Sequence, residues 1–440
     1  MLFAQVEFEL IGYAAVGAPE RKEPGSTLAQ PVARDGWGNP WIPPTSLAGS
    51  LRAHLGEEAG KTLMGEEDPD EEEAQGRPSV VRFLGTELRL PDSGLAYRTQ
   101  TAVDRHRAAA RATTLRTGEY LPPGTRILCQ LRVDGAAHHD AVLAALRSWE
   151  PLIGGGRSTG HGTTRTIAIH YDTIDLDTRE GRRIWLTRGG PELFTGTRAL
   201  DPDPTPRSSA IRTEWEIVDA LHIGSGVTKA SEPRRADEDR AAEPAPLLRD
   251  HQGRPYVPGT TWKGLLRSRC EFILGSLGLA VCDGGPDTCG HCMVCTSFGW
   301  SGDGQGEAQG KAESVGLRSR LRFGDSPLTD ARVEVRNHVA LDRVFGGAGD
   351  GLLFAEEVAE TGRLTLEVYE DGEVHPAVRA ALRLALHDLH AGAFGIGGGT
   401  TRGYGTLRRV DADAAALEAE RTEAMAVLAA HLDLVQEAVG

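Results

Sequence analysis

Six cysteines occur in the 440 residues, and four of them fall within fourteen positions, CDGGPDTCGHCMVC (282–295). Thiolates spaced C-x6-C-x2-C-x2-C can close around one soft divalent ion. With Cys282, Cys289, Cys292 and Cys295 as a tetrahedral all-protein set, no coordination position stays open, so zinc held there is structural. Disulfides compete with this reading, but the chain reads as cytoplasmic and reducing. A redox C-x2-C pair competes less well, because four thiols cluster rather than two. His291 could replace one thiolate, with Cys292 competing beside it. Cys129 and Cys270 read as ordinary buried thiols.

A second motif occurs twice, as IGGGRSTGHG (153–162) and IGGGTTRGYG (396–405). Both read I-G-G-G-x-[ST]-x-G-[HY]-G. Glycine costs backbone entropy, so a repeated run implies that something approaches the backbone closely. Each loop follows a helical pattern and leads into a strand, which is the wrong order for a dinucleotide fingerprint, and neither carries the GK[ST] of a phosphate loop. A plain tight turn explains one such loop. Two copies, with Arg157 and Arg402 inside them, favour a phosphate chain lying on exposed N–H groups.

The duplication extends further. DGWGNPWIPPTSLAGSLR (35–52) aligns with DHQGRPYVPGTTWKGLLR (250–267) at an offset of 215 (250 − 35), and the glycine loops align at 243 (397 − 154). Between them AVDRHRAAARATTLRTGEYLPPG (102–124) meets ALDRVFGGAGDGLLFAEEVAETG (340–362), pairing Asp104-Arg105 with Asp342-Arg343 at 238 (342 − 104). Three matches in one order mean two copies of one domain. In the second, Lys263 and Arg267 lie at i, i+4 on one helical face beside the helix start, a candidate phosphate cradle. The first keeps Arg52 but has Ala48 in place of the lysine.

These motifs need elements to hold them. Alternating apolar residues predict opening strands in AQVEFELIGYAA (4–15) and IRTEWEIVDALHIG (211–224). A long loop, a proline turn and a helix follow, with Thr45 or Ser46 and Thr260 or Thr261 as N-cap candidates. Strands at 125–133 and 362–368, helices at 139–152 and 375–389 and a closing strand complete strand-helix-strand-strand-helix-strand, the split βαβ ferredoxin-like order. The expected class is α+β: domain one over 1–200, a Pro-rich linker over 201–209, domain two over 210–410 with a zinc-binding insertion near 282–295, and a C-terminal helix over 411–440. That helix carries Leu417, Met425, Leu428, Leu432 and Val435 at apolar spacing and is expected to pack on the second copy.

Net charge is −15, which excludes a uniformly basic coat for nonspecific nucleic-acid binding. The acid is clumped at 66–73 and beyond Asp411, leaving room for a local basic groove. No run is apolar enough to cross a membrane.

PGTTWKGLLR, NHVALDRVFGGA and GGGTTRGYG, in this order, resemble the repeat-associated mysterious protein (RAMP) superfamily, and within it the backbone subunits of type III CRISPR effector complexes, ribonucleoproteins of antiviral defence. The resemblance covers residues 1 to about 410 and is stronger in the second copy. It implies a modified ferredoxin-like (RRM-like) palm in each copy, with guide RNA held by Ser46, Arg52, Gly154, Gly155, Gly156, Arg157 and Ser158 in the first. In the second, Thr261, Lys263, Arg267, Gly397, Gly398, Gly399, Thr400, Arg402 and Tyr404 would hold it. It also implies thumb hairpins around Val103-Asp104-Arg105 and Leu341-Asp342-Arg343, target RNA paired to the guide, and other effector subunits as partners.

In such subunits an Asp on the loop between first strand and helix cleaves the target with a divalent metal, Mg²⁺ being the candidate. Alignment on PVARD (31–35) and PLLRD (246–250) puts Ala29 and Pro244 there, neither able to serve. A one-residue shift brings Glu243 to the site, and Asp239 is next. Two readings stand beside an endoribonuclease: a catalytically silent scaffold, and a guide-processing enzyme using His222, although a structural histidine suits that strand end better.

Overall fold

The computed structural model describes the chain except residues 18–27, 67–75, 105–108, 111–113, 195, 205–207, 227–243, 283–287, 302–315 and 440. It divides into two compact units, one of 1–98 with 117–207 and one of 99–116 with 208–440. The segment carrying Val103 thus groups with the second unit.

In the first unit, strand β1 (Leu2–Leu10) is central because every second residue is apolar. Leu2, Ala4, Val6, Phe8 and Leu10 all lie in the core. Helix α1 spans Pro44–Met64 and is broken at Gly56, where φ is +76°. Strands β2 (Val81–Arg89) and β3 (Arg126–Val133) follow, then helix α2 (His139–Ser148), β4 (Thr164–Thr173) and a short edge strand β5 (Arg198–Leu200). The antiparallel order is β5-β4-β1-β3-β2. Without the edge strand this is the ferredoxin-like arrangement. Leu47 and Leu51 of α1 and Val142 and Leu146 of α2 cover one face of the sheet, with Trp149 edge-on to Phe8 at 5.0 Å.

The second unit repeats it. Strand β6 (Ile211–Ile217), helices α3 (Gly259–Ser276) and α4 (Met293–Phe298), and strands β7 (Leu321–Phe323), β8 (Thr329–Leu341) and β9 (Ala348–Glu370) precede helix α5 (Pro376–His390), β10 (Leu407–Arg409) and helix α6 (Ala414–Val439). The sheet runs β7-β9-β6-β10, and β8 pairs with β9 as a long antiparallel hairpin. Trp262, Leu266, Cys270 and Leu274 of α3, four residues apart, fill the core. Leu417, Ala424 and Leu428 of α6 are buried and Leu432 packs against the same core, but Met425 is 49% exposed. The side chain of Val435 lies outside the described residues.

The hydroxyl N-caps do not form. Pro43 and Pro258 occupy the cap positions, so Thr45, Ser46, Thr260 and Thr261 lie inside the first turns. A proline at a helix start has no N–H to leave unsatisfied. In α3 the Gly259 N–H instead donates to the Asp325 carboxylate at 2.7 Å, a cap 66 residues away.

The turn before each helix is built identically. Asp35 Oδ1 accepts from the N–H groups of Trp37 and Asn39, and Asp250 Oδ1 from those of Gln252 and Arg254. Arg34 pairs with Glu119 at 2.8 Å, and Glu119 also accepts from the Val32 N–H. Arg249 pairs with Glu357 at 3.1 Å, and Glu357 accepts from the Leu247 N–H. The glutamate side chains are 2% and 26% exposed, so the first is the more desolvated. Removing a buried acceptor strands its donors at a cost of roughly 1–3 kcal/mol. Glu119→Ala is therefore expected to lose stability in that range in urea unfolding, and Glu357→Ala to lose less; equal losses would contradict the burial difference.

Candidate nucleic-acid interface and metal centre

What approaches the glycine loops is the chain itself. In the first unit Gly155 N–H donates to Ala15 O and Gly162 N–H to Tyr13 O, while Ile153 N–H bonds Gly162 O across the loop. In the second, Gly398 donates to His222 O, Gly405 to Ala220 O, and Ile396 to Gly405 O. Each loop thus clamps the segment that continues the opening strand. Gly154, Gly156, Gly160 and Gly162, and Gly397, Gly399, Gly403 and Gly405, all have positive φ. A Cβ at Gly154 would sit 2.3 Å from Ala15 O, and one at Gly397 2.5 Å from His222 O. The N–H groups of Gly155, Gly162, Gly398 and Gly405, expected to be open to phosphate, are spent internally. In side-chain space Gly155 differs from the left-handed glycines: it is exposed, and a Cβ there would meet only Ala15 O at 3.9 Å. Gly398 is intermediate, its Cβ falling 3.1 Å from the His222 ring.

The residue before the last glycine of each loop turns inward. His161 is buried, and Arg98, itself 4% exposed, donates to His161 Nε2 at 2.9 Å. Burial, with Arg98 beside it, pushes this imidazole down to about 3, so it is neutral. The guanidinium also lies over the rings of Tyr13 and Tyr120 at 4.8 and 5.8 Å. Tyr404, 4% exposed, takes the corresponding place. Its hydroxyl lies 3.0 Å from His338 Nε2, which also meets Glu356 Oε1 at 3.0 Å. Arg336, 238 positions after Arg98 (336 − 98), lies over the Tyr404 ring at 5.4 Å and bonds Asp219 and Glu360. Arg402 donates to Glu356 at 2.7 Å with 44% of its side chain exposed. These inward contacts join hairpin β8-β9 to the glycine loop in the second unit.

At the hairpin tip, Asp342 accepts from the N–H groups of Val344 and Phe345 at 2.7 and 2.9 Å, which hold its carboxyl below the usual range. That turn displays Leu341 at 62%, Val344 at 83% and Phe345 at 87% exposure, and Arg343 is exposed with them. Val103 pairs with Ala110 in a two-residue ladder and is exposed.

The four cysteines converge. Their sulfur atoms all lie within 4.8 Å of one another, three being buried and Cys289 exposed. Cys282 Sγ is 3.5 Å from Cys295 Sγ and 3.9 Å from Cys292 Sγ, and Cys289 Sγ is 4.0 Å from Cys295 Sγ. Zn–S bonds of about 2.3 Å put sulfurs roughly 3.8 Å apart in a tetrahedron, against about 2.05 Å in a disulfide. The donor set therefore fits a tetrahedral thiophilic ion, and none of the cysteines is paired. Burial pushes the Cys282 thiol up to about 12. Burial also opposes ionisation of Cys289, but the His291 and Cys292 N–H groups outweigh it and draw that thiol down to about 6. His291 is exposed and donates through Nδ1 to Cys289 O at 2.7 Å, outside the sulfur cluster.

The RAMP superfamily model matches residues 7–165 and again 215–408. The chain belongs to the RAMP superfamily. It is also similar to a protein of Methanothermobacter thermautotrophicus strain Delta H named CRISPR system Cms endoribonuclease Csm3, with 42% identity over 59 residues. That match covers 13% of this chain and spans only 22% of the relative's length.

The sequence-predicted residues of this RAMP chain separate into three groups. Gly155, Ser158, Thr400 and Arg402 reach the surface of the loops at least in part, and Arg157 donates back to Gly154 O at 3.0 Å. Tyr404 and Arg267 face inward; Arg267 bonds Glu271, Gly299 O and Cys295 Sγ. Arg52 bonds Gly65 O at 2.8 Å, and Ser46 and Lys263 are half-buried, with burial and Arg267 drawing the Lys263 ammonium down to about 8. Asp239, Glu243 and Arg105 lie outside the described residues. His222 is 9% exposed, and its Nδ1 donates to Glu357 O at 2.7 Å. Sequence reasoning missed Arg98, Arg336 and His338. The available signal was R-T-Q and R-N-H at the thumb offset of 238 (336 − 98). Among the described residues no helix is long and apolar enough to cross a membrane.

The glycines are thus unequal. A Cβ at Gly405, with φ of +78°, would fall 2.1 Å from Ile396 O, so Gly405→Ala is expected to destabilise by roughly 1–3 kcal/mol. Gly155→Ala should be near neutral. Thermal unfolding of both variants checks this, and a neutral Gly405→Ala would refute the clamp.

Proposed function

We propose that this chain is a tandem backbone subunit of a type III CRISPR effector complex that binds guide RNA along both units. The observation that carries the reading is the repeated architecture: two ferredoxin-like sheets, each with the same glycine clamp beside its opening strand, in a RAMP chain similar over a short stretch to a CRISPR-system protein. In this reading the RNA backbone meets the loop crests at Gly155, Ser158, Thr400 and Arg402 rather than the inward N–H groups. Exposed Leu341, Arg343, Val344 and Phe345 are the thumb, which meets the guide–target duplex, with sequence read by base pairing. The four cysteines hold one zinc ion, which supplies folding energy to the α3–α4 region and takes no part in chemistry. The departures at Ala29 and Pro244 favour a silent first unit, while cleavage, where it occurs, falls to Asp239 and Glu243 with Mg²⁺.

Two experiments test this. Gly155→Val combined with Thr400→Glu adds bulk and a carboxylate at exposed crest positions, so the folded variant should retain less guide RNA on purification from the assembled complex, with the deficit largest at low salt, where the added charge is least screened. Unchanged RNA content at all salt concentrations would remove the crests from the interface. Separately, losing one acid–base group slows a step by roughly 10²–10⁴-fold, so Asp239→Ala with Glu243→Ala should abolish cutting of a labelled target in Mg²⁺ while sparing RNA binding. If wild-type complex never cuts, the chain is a scaffold.

A further inference from the structure

We propose that Arg267 belongs to the metal centre: from outside the cysteine motif it supplies a side-chain hydrogen-bond donor to one ligand sulfur of a tetrathiolate ion. The inference rests on the metal reading above. Four thiolates around a divalent cation carry a net charge of −2, and a buried charge of that size needs donors aimed at its sulfurs. Three come from the backbone of the motif. The N–H of Cys289 donates to Cys282 Sγ at 3.3 Å, that of Cys292 to Cys289 Sγ at 3.3 Å, and that of Cys295 to Cys292 Sγ at 3.4 Å. The remaining sulfur, Cys295 Sγ, has the Gly290 N–H beside it and also accepts from Arg267 Nη2 at 3.3 Å, a side-chain donor. Arg267 comes from α3, outside the cysteine motif, and its side chain is 13% exposed. The same guanidinium donates through Nη1 to Gly299 O at 2.7 Å and through Nε to the buried Glu271 carboxylate at 3.0 Å. The planar fork is thereby fixed in orientation, which a lysine could not reproduce.

The first unit supplies the comparison that separates this role from a merely structural one. Arg52, the counterpart at an offset of 215 (267 − 52), donates to Gly65 O at 2.8 Å. Gly65 and Gly299 have φ of +85° and +79°, and a Cβ on either would collide with the backbone of a following segment, at Ser79 and Ser319. Ser79 hydroxyl donates to Val81 O and Ser319 hydroxyl to Leu321 O, each at 2.6 Å. Both units therefore close the end of their helical segment with the same arginine–carbonyl latch. Only in the second does the arginine's other nitrogen reach a thiolate. Loss of the latch alone is what Arg52→Ala reports; loss of latch and sulfur donor together is what Arg267→Ala reports.

The test uses the full chain purified with zinc. Metal content is read by elemental analysis, affinity by competition with a chromogenic chelator, and the sulfur environment by the thiolate-to-metal charge-transfer band after Co²⁺ exchange. Removing a partner that hydrogen-bonds a ligand costs about 10–100-fold in metal affinity, so Arg267→Ala should fall in that range and shift the Co²⁺ band. Arg267→Lys keeps the charge and guards against a variant that fails to fold; it should also release zinc faster than wild type. Arg52→Ala should leave zinc affinity and the band unchanged. The inference is overturned if folded Arg267→Ala and Arg267→Lys match wild type in affinity and band, or if Arg52→Ala weakens zinc as much as they do. A wild-type chain that takes up no zinc overturns the metal reading itself, a result distinct from either.

Discussion

Everything near the candidate interface depends on a close approach of two backbones. After its opening strand, each unit sends Tyr13–Ala15 or Ala220–His222 under a loop whose glycines donate to its carbonyls. The gap is too small for side chains: even Gly12, on the strand side, would put a Cβ 2.4 Å from Gly160 O. A side chain at Gly154 or Gly397 would force the strand extension away, and the extension is what leads into the turn at Asp35 or Asp250 and then into the first helix. The glycine run is therefore a fold requirement first. Its exposed crest, at Gly155 and around Thr400, is what the fold leaves over for a ligand.

Beneath the clamp the two units use different chemistry in one space. The first fills it with a neutral buried histidine, two tyrosines and a guanidinium lying on their faces. Arginine suits this because it is weakly hydrated and stacks on rings. The second replaces the histidine with Tyr404 and surrounds it with His338, Glu356, Arg336 and Arg402, held by Asp219 and Glu360. The long hairpin is thus bonded to the glycine loop by side chains, and a displacement of one is felt by the other. A shared fold with divergent polar networks is what duplication followed by separate specialisation of each unit produces.

Much of this was legible in the residues. Period-two alternation marked β1 and β6, four-residue apolar spacing marked α3, and the cysteine spacing marked a cluster whose sulfurs do converge. Three things were not legible, for one physical reason: pattern reports which face of an element is buried, not which distant group meets a given atom. The caps came from prolines and from Asp325 rather than from nearby hydroxyls. The i, i+4 spacing of Lys263 and Arg267 suggested a phosphate cradle, yet the segment that carries Cys295 and Gly299 folds back onto the Arg267 guanidinium. Glycine repetition indicated close approach without naming the approaching chain. The acidic loop with Asp239 and Glu243 lies outside the described residues, so its chemistry rests on alignment alone.

The charge balance ties these points to the RNA reading. A chain of net charge −15 binds a polyanion only where its cations can be released from their own carboxylates or reached beside them. Deep arginines cannot be: Arg267 and Arg409 sit at 13% and 5% exposure, each against acidic partners, and freeing either would leave a desolvated carboxylate behind. Arg402 is different. Its side chain is 44% exposed although that of Glu356 beside it is 10% exposed, so a phosphate could meet it from the solvent side without breaking the pair. The second unit thus keeps a half-exposed cation, held in place by a buried carboxylate, at its loop crest. The first unit has Thr159 at the corresponding position, and its loop arginine, Arg157, donates back to Gly154 O.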